Sequence, residues 1–160
     1  MRIIVFSDSH GHFREVRRMF EKTHLFADLY IFLGDGEKDF EDVPYLYPDA
    51  KILAVRGNCD IDSLNPVVSA YEAEGKKIIF VHGNIHMVNY GLSDLRKLAA
   101  ENGADVVLYG HTHERRCEYK DGVYYLNPGS IGDPRDGKGP GYALLEVLPA
   151  GVLCNHVDLE

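Results

Sequence analysis

The chain has 160 residues, 45% hydrophobic and 26% charged, which suits one domain over residues 1–160 closing a single sizeable core. No apolar run approaches the roughly 20 residues a membrane helix needs, and the opening MRIIVFSDSHG lacks the long apolar core and cleavage site of a signal peptide, so a cytoplasmic protein with no membrane partner is expected. Its 25 acidic against 17 basic residues leave a formal charge of −8, which repels nucleic-acid phosphates and provides no basic stripe for a duplex or a long strand.

RIIVF, residues 2–6, reads as a buried strand running into the turn SDSHG, which carries Asp8 and His10. FREVRRMFEKT follows with apolar Phe13, Val16, Met19 and Phe20 at helical spacing. DLYIFLG is a second strand ending at Asp35, and KILAV a third ending in RGNCD, residues 56–60, which holds Asn58, Cys59 and Asp60. YEAEGKKIIF predicts a hairpin through Glu74 and Gly75, whose second strand runs on to HGN and His82. LSDLRKLAAENG predicts a helix with Leu92, Leu95, Leu98 and Ala99 on one face and Gly103 as its stop. DVVLY is a fifth strand, ending in GHTH with His111 and His113. RRCEYKDGVYYLNPGS contains Asp121-Gly122, a type I′ hairpin signal, and GYALLEVLPAGVLCNHVDL reads as an antiparallel pair turning near Pro149 to Gly151. Strand, helix, strand order implies parallel pairing, so the class is α/β with a mixed second sheet.

Ligands in such sheets gather outside the carboxyl ends of the strands, and all five turns sit there. They carry Asp8 and His10, then Asp35, then Asn58 and Asp60, then His82, then His111 and His113. Strand alternation would point His111 and His113 the same way, with Thr112 turned aside. A His-x-His pair alone is equally well a polar turn, and Asp and Asn are ordinary turn residues. Their joint placement at five strand ends is what argues for a site. Carboxylate, imidazole and amide oxygen suit divalent Mn, Fe, Zn, Ni or Co, and the set exceeds the needs of one ion. The three cysteines, Cys59, Cys117 and Cys154, are too far apart in sequence for a Cys-x-x-Cys site and read as free thiols.

The order Asp-x-His, Gly-Asp, Gly-Asn-x-Asp, His-Gly, Gly-His-x-His, followed by NPGSIGDPR at residues 127–135, resembles the calcineurin-like metallophosphoesterase family, and the short length with Cys59 inside GNCD resembles its small YfcE-like phosphodiesterase subgroup. The resemblance implies two stacked mixed β-sheets flanked by helices, with the site at one edge. It further implies that Asp8, His10, Asp35 and His113 hold one metal and Asp35, Asn58, His82 and His111 the other, with Asp35 bridging. Two divalent ions, Mn foremost, would clamp a phosphoryl group and acidify the water between them, hydrolysing a small phosphate ester by in-line attack. Asp35, Asn58, Cys59 and His82 are the residues expected at the reacting atoms.

Many relatives have His where this chain has Cys59. A thiol is a weak proton donor, so the expected bias is toward diesters and good leaving groups, with packing in a tight turn as the other reading. Asp60 beside it is read as a carboxylate able to orient its neighbour. Arg56 is equally a phosphate partner or a solvated residue, and His12 equally a support to the site or a helix-start residue; Asn84 in HGN stands where several relatives are expected to have a third polar ring, and His86 is a substitute for that ring or an exposed side chain. His24 and His156 are expected at the surface, and NPGS in the wall of the site. Two rival functions remain: a protein-binding scaffold, since the fold also serves a trafficking-complex subunit that has lost some ligands, and a metal-dependent nuclease, for which the charge is unfavourable. Substrate choice is expected to lie in loops 36–48 and 84–91, and a homo-oligomer is compatible with the sequence.

Overall fold

The computed structural model describes residues 1–159. Ten strands form two five-stranded mixed sheets. The first sheet is built on β1 (Arg2–Phe6), β2 (Leu29–Phe32) and β3 (Ile52–Ala54), all parallel, and is extended on the other side of β1 by the hairpin β9 (Gly141–Leu148) and β10 (Gly151–Asp158). The second has β5 (Lys76–Val81), β6 (Val106–Leu108) and β8 (Val123–Pro128) parallel, edged by β4 (Val68–Ala73) beside β5 and β7 (Arg115–Lys120) beside β8. The C-terminal hairpin therefore belongs to the first sheet. The five expected strands divide three and two between the sheets.

Alternation along β1 explains why the apolar runs are continuous. Ile3 and Val5 face inward, joining Ile31, Phe80, Leu108 and Leu145 in a core between the sheets. Ile4 and Phe6 face outward and meet Val16, Met19 and Phe20 of α1 (Phe13–Thr23). Ile79, Val107 and Tyr109 likewise meet Leu92, Leu95 and Ala99 around α3 (Ser93–Asn102). A strand covered on both faces has no polar side, so its sequence shows no alternation. Both crossover helices thus stand as read, with Gly103 left-handed at φ 62° as the stop of α3.

Two readings are corrected. KILAV is not a buried strand: β3 lies at the sheet edge and its residues are half-buried. Phe13 opens α1 with half its surface exposed, because it precedes the first residue of the buried stripe, Val16. The two hairpins are as expected, with Glu74 and Gly75 at φ 50° and 74° and Asp121 and Gly122 at φ 53° and 84°, the positive pair that type I′ turns require. Between β2 and β3 the chain makes a 3-10 turn (Glu37–Phe40) and the short α2 (Val43–Leu46).

Candidate metal centre

The turns after β1, β2, β3, β5 and β6 meet at one edge of the sandwich, and their side chains form two groups of donors. Asp8, His10 and His113 each offer a ligand atom within 4.8 Å of the others, and so do Asp35, His82 and His111. In the first group His113 Nε2 lies 3.3 Å from both His10 Nε2 and Asp8 Oδ1. In the second His82 Nε2 lies 3.1 Å from Asn58 Oδ1, 3.2 Å from His111 Nδ1 and 3.4 Å from Asp35 Oδ2. Asp35 Oδ2 is also 3.8 Å from His10 Nε2, so this one carboxylate adjoins both groups. Donors bound about 2.1 Å from one ion are separated by about 3.0–3.4 Å at the edges of its coordination polyhedron; the distances given within each group fall there, and His10 Nε2 is somewhat farther, 3.8 Å from Asp8 Oδ1.

The outer atoms of the rings are tied down in the sense a metal ligand requires. His82 Nδ1 donates to Leu33 O at 2.7 Å, and His113 Nδ1 to Asp133 O at 2.6 Å, which leaves Nε2 of each ring facing its group. Asp8 is fully buried, with Oδ2 accepting from His111 N at 3.0 Å. Its Oδ1 is buried without a hydrogen-bond partner among the described residues. A carboxylate oxygen left so is costly unless a cation completes it, so the donor set fits divalent metal. Burial alone would lower the pKa of His82 and His113, yet Asp35 and Asp8 beside them raise it: without metal, protons are drawn to the same atoms.

The profile of the calcineurin-like phosphoesterase superfamily domain matches residues 1–149. The chain belongs to this superfamily. As a calcineurin-like phosphoesterase it is 34% identical over 145 residues to the probable metallophosphoesterase YsnB of Bacillus subtilis, covering 91% of this chain and 83% of that one. It is 29% identical over 168 aligned residues to phosphodiesterase YfcE of Escherichia coli, covering 91% and 88%. A predicted phosphoesterase of Streptococcus pneumoniae, 29% identical, superposes with a TM-score of 0.86 over 99% of this chain and 89% of that structure. The membership carries hydrolase chemistry on phosphate esters and use of divalent metal.

In this calcineurin-like phosphoesterase, strand geometry is not what aims His111 and His113. Both lie beyond β6 in left-handed conformation, at φ 69° and 60°, and they go to different groups. Asp8, His10 and Asp35 are also left-handed, so among the described residues five of the eight non-glycine positions with positive φ are proposed ligands. Such conformations persist only where the surroundings enforce them. Asn127 does so for GHTH, donating to Gly110 O at 2.9 Å and Thr112 Oγ1 at 3.0 Å, and Ser130 Oγ donates to Asp8 O at 2.6 Å. NPGS is thus a brace behind the proposed ligands. His156 is no bare surface residue, since its Nε2 donates to Asn127 O at 2.7 Å. Gly57 lets two turns touch, because a Cβ there would overlap Asp35 Oδ1.

Asp60 does not orient residue 59. Its two oxygens accept four backbone N–H groups, those of Asp35, Gly36, Glu37 and Gly57, at 2.7–3.0 Å. Burial would raise its pKa, but these four donors outweigh that and lower it. Asp60 therefore clamps the turn after β2 to the turn after β3, a role not visible in its place beside a proposed ligand. Cys59 is exposed, and its N–H donates to Asp35 Oδ1 at 2.7 Å. Its Sγ lies within 4.8 Å of donor atoms of His10 and Asp35. Partial burial and the Asp35 carboxylate push the thiol pKa to about 11, so without metal it stays protonated.

His12 donates from Nδ1 to Ser9 O at 2.9 Å, supporting the turn that carries His10. His24 is an exposed cap at the end of α1. Arg56 is exposed and lines a hollow of about 290 Å³ with Asn58, Asp60, Ile61, Asn84 and Ile85. His86 is in neither donor group, and its buried Nδ1 has no hydrogen-bond partner among the described residues. Sequence reading missed Asn89, whose amide nitrogen lies 3.0 Å from His111 Nε2.

Proposed function

We propose that this calcineurin-like phosphoesterase hydrolyses small phosphodiesters with the help of two divalent ions sharing Asp35. The observation that carries the reading is the pair of donor groups at one sheet edge, joined through Asp35 and completed by Asn58. Two such ions would supply Lewis acidity and an acidified water for in-line attack on phosphorus. The chain's own part is to hold Asp35 between the groups, to aim His82 Nε2 and Asn58 Oδ1 at the reacting end, and to place the Cys59 thiol beside it. Mn is the ion we favour, and Fe, Zn, Ni and Co suit the same donors.

The substrate reading rests on a cleft of about 760 Å³ that opens beside His10 and Cys59. Phe40, Pro44, Ile52, Ala54 and Ile61 are among its lining residues, and Glu37, Glu41 and Asp62 stand along it with Lys38. That volume falls within the range of about 300–1,000 Å³ typical of small-molecule sites. Carboxylates along the cleft disfavour a polyanion, which supports small esters over long nucleic acid. The phosphodiesterase name of the Escherichia coli relative supports diesters over monoesters.

The test is elemental analysis of the purified protein, then a panel of matched diesters and monoesters with each metal added to chelated protein. Two ions per chain and restoration of diester turnover are expected. A chelated protein that keeps all measurable function, or that binds a partner protein equally with and without metal, would point to the scaffold reading. Cys59→His sharpens the chemistry: an imidazole can protonate the leaving oxygen, so alkyl or nucleoside esters should gain about 10²-fold, the low end for positioned proton transfer because Asp60 is not free to hold the ring. Nitrophenyl esters, which need little proton assistance, should change far less. A uniform change across leaving groups would show that residue 59 acts on metal or packing.

A further inference from the structure

Away from the metal centre, a run of contacts joins the open edges of the two sheets. β7 is the edge of the second sheet and β10 that of the first, so among the described residues each is paired on one side only. Their facing residues meet in regular steps. Arg115 Nη1 of β7 lies 2.7 Å from Asp158 Oδ1 of β10, and His156 Nε2 donates at 2.7 Å to the backbone oxygen of Asn127, the cross-strand partner of Arg116. One residue further along β7 stands Cys117, and two residues back along β10 stands Cys154. Alternation places Cys154 on the face of His156 and Asp158, and Cys117 on the face of Arg115. That face is the inner one. Leu126 and Leu145, the cross-strand partners of Cys117 and Cys154, both lie in the core between the sheets, and Cys154 itself packs against that core. The two thiols meet there, the Cys154 S–H donating to Cys117 Sγ.

Cys117 is exposed and Cys154 half-buried, so a small oxidant reaches the first while the second waits beside it. The hydrogen bond stabilises a thiolate at Cys117 and holds its pKa below the ordinary thiol value against the opposing effect of burial. Cys154, the donor, is pushed above that value by the same bond and by its own burial. We propose that Cys117 and Cys154 form a modification site, which a hydroperoxide closes into a reversible disulfide that staples the two sheets at their open edge. In the first step the Cys117 thiolate attacks a peroxide oxygen: an S–O bond forms, the O–O bond breaks, and the departing alkoxide or hydroxide takes a proton and leaves as alcohol or water. Cys117 is then a sulfenic acid. In the second step the Cys154 sulfur gives up its proton and attacks the Cys117 sulfur; the S–S bond forms, the S–O bond breaks, and hydroxide leaves with that proton as water. Two thiols have together lost two electrons to one peroxide. A small dithiol returns them by exchange. Cys59 lies with the donor groups instead, so the modification does not touch the metal centre.

Peroxide treatment of the unaltered protein at neutral pH, followed by alkylation of the remaining thiols and peptide mass spectrometry, tests the site directly. The expected product joins the Cys117 and Cys154 peptides within one chain, with loss of two hydrogens and Cys59 outside the link. The melting temperature should rise by about 5–10 °C, as for a typical bridge in a chain of this size, and should return to its starting value in a small dithiol. Cys154→Ser removes the resolving thiol, so oxidation of that variant should stop at the Cys117 sulfenic acid, which a diketone probe captures. Cys117→Ser should show neither link nor rise, and Cys59→Ser should link as the unaltered chain does. Links between chains, a link through Cys59, free thiols at both positions after Cys59 has oxidised, or a closed link with no rise in melting temperature would each overturn the staple.

Discussion

Asp35→Asn is expected to lower kcat/KM for diester hydrolysis by at least about 10³-fold, the equivalent of several kcal/mol of transition-state stabilisation, while the metal-free protein keeps its fold with a lower melting temperature. The asymmetry follows from what each oxygen does. Oδ1 accepts the Cys59 N–H at 2.7 Å, and an Asn amide oxygen can keep that bond, so the turn holds. Oδ2 lies 3.4 Å from His82 Nε2 and 3.8 Å from His10 Nε2, between the two donor groups. Replacing it by NH₂ removes the negative charge that the two proposed cations would share. Although burial pushes the Asp35 pKa up, contacts with His82 and Cys59 outweigh it and hold the carboxyl well below the usual carboxylate range, so the charge is in place at neutral pH. Metal content, turnover and a thermal melt check all three parts. Two bound ions with near-full turnover would remove Asp35 from the bridging role.

Asp60→Ala is expected to cost both stability and activity, which separates it from the ligand variant. Four backbone N–H groups lose a charged acceptor at once. Each such bond contributes about 1.5–3 kcal/mol where fully buried, and water recovers part of that at this half-buried site, so a net loss of about 3 kcal/mol is expected. At roughly 2–4 °C per kcal/mol the melting temperature should fall by about 10 °C. Activity should fall with it, because the clamp sets Asp35 and Asn58 relative to each other. Asp60→Asn, keeping one acceptor oxygen, should lie between. The pH dependence has a definite sign. The folded-state pKa of Asp60 is lowered, so its contribution is fully present above the unfolded value of about 3.9 and is lost as pH falls through the folded value. Denaturant unfolding at neutral and acid pH should therefore show unaltered protein and Asp60→Ala converging as pH falls. A gap that persists at acid pH would mean that the clamp does not act through the ionised carboxylate.

Much of this was legible in the chain alone. Apolar runs ending in glycine-punctuated turns locate five strands, because a strand covered on both faces shows no alternation and a ligand-bearing turn needs glycine for close approach. Helix stripes at Val16, Met19 and Phe20 and at Leu92, Leu95 and Ala99 declare which face is buried, since 3.6-residue periodicity is local. The Asp, Asn and His residues at the strand ends, with the family pattern they form, mark the site. Their partition is another matter. Local sequence gives no sign that His111 and His113 leave β6 in left-handed conformation toward different groups, because Asn127, on another strand, enforces that turn. Nor does it reveal that KILAV lies at a sheet edge, or that His156 buttresses Asn127. Asp60 reads locally as the neighbour of Cys59, and only the approach of two turns shows it gripping four amides. Asn89 sits in an unremarkable loop and matters only because packing brings His111 to it. Side-chain type and period are properties of a segment, so the sequence by itself determined the elements and the inventory of donors; hydrogen-bond direction and the meeting of distant turns are properties of the closed sandwich, and the tertiary structure alone decided which donors share a group and what holds them there.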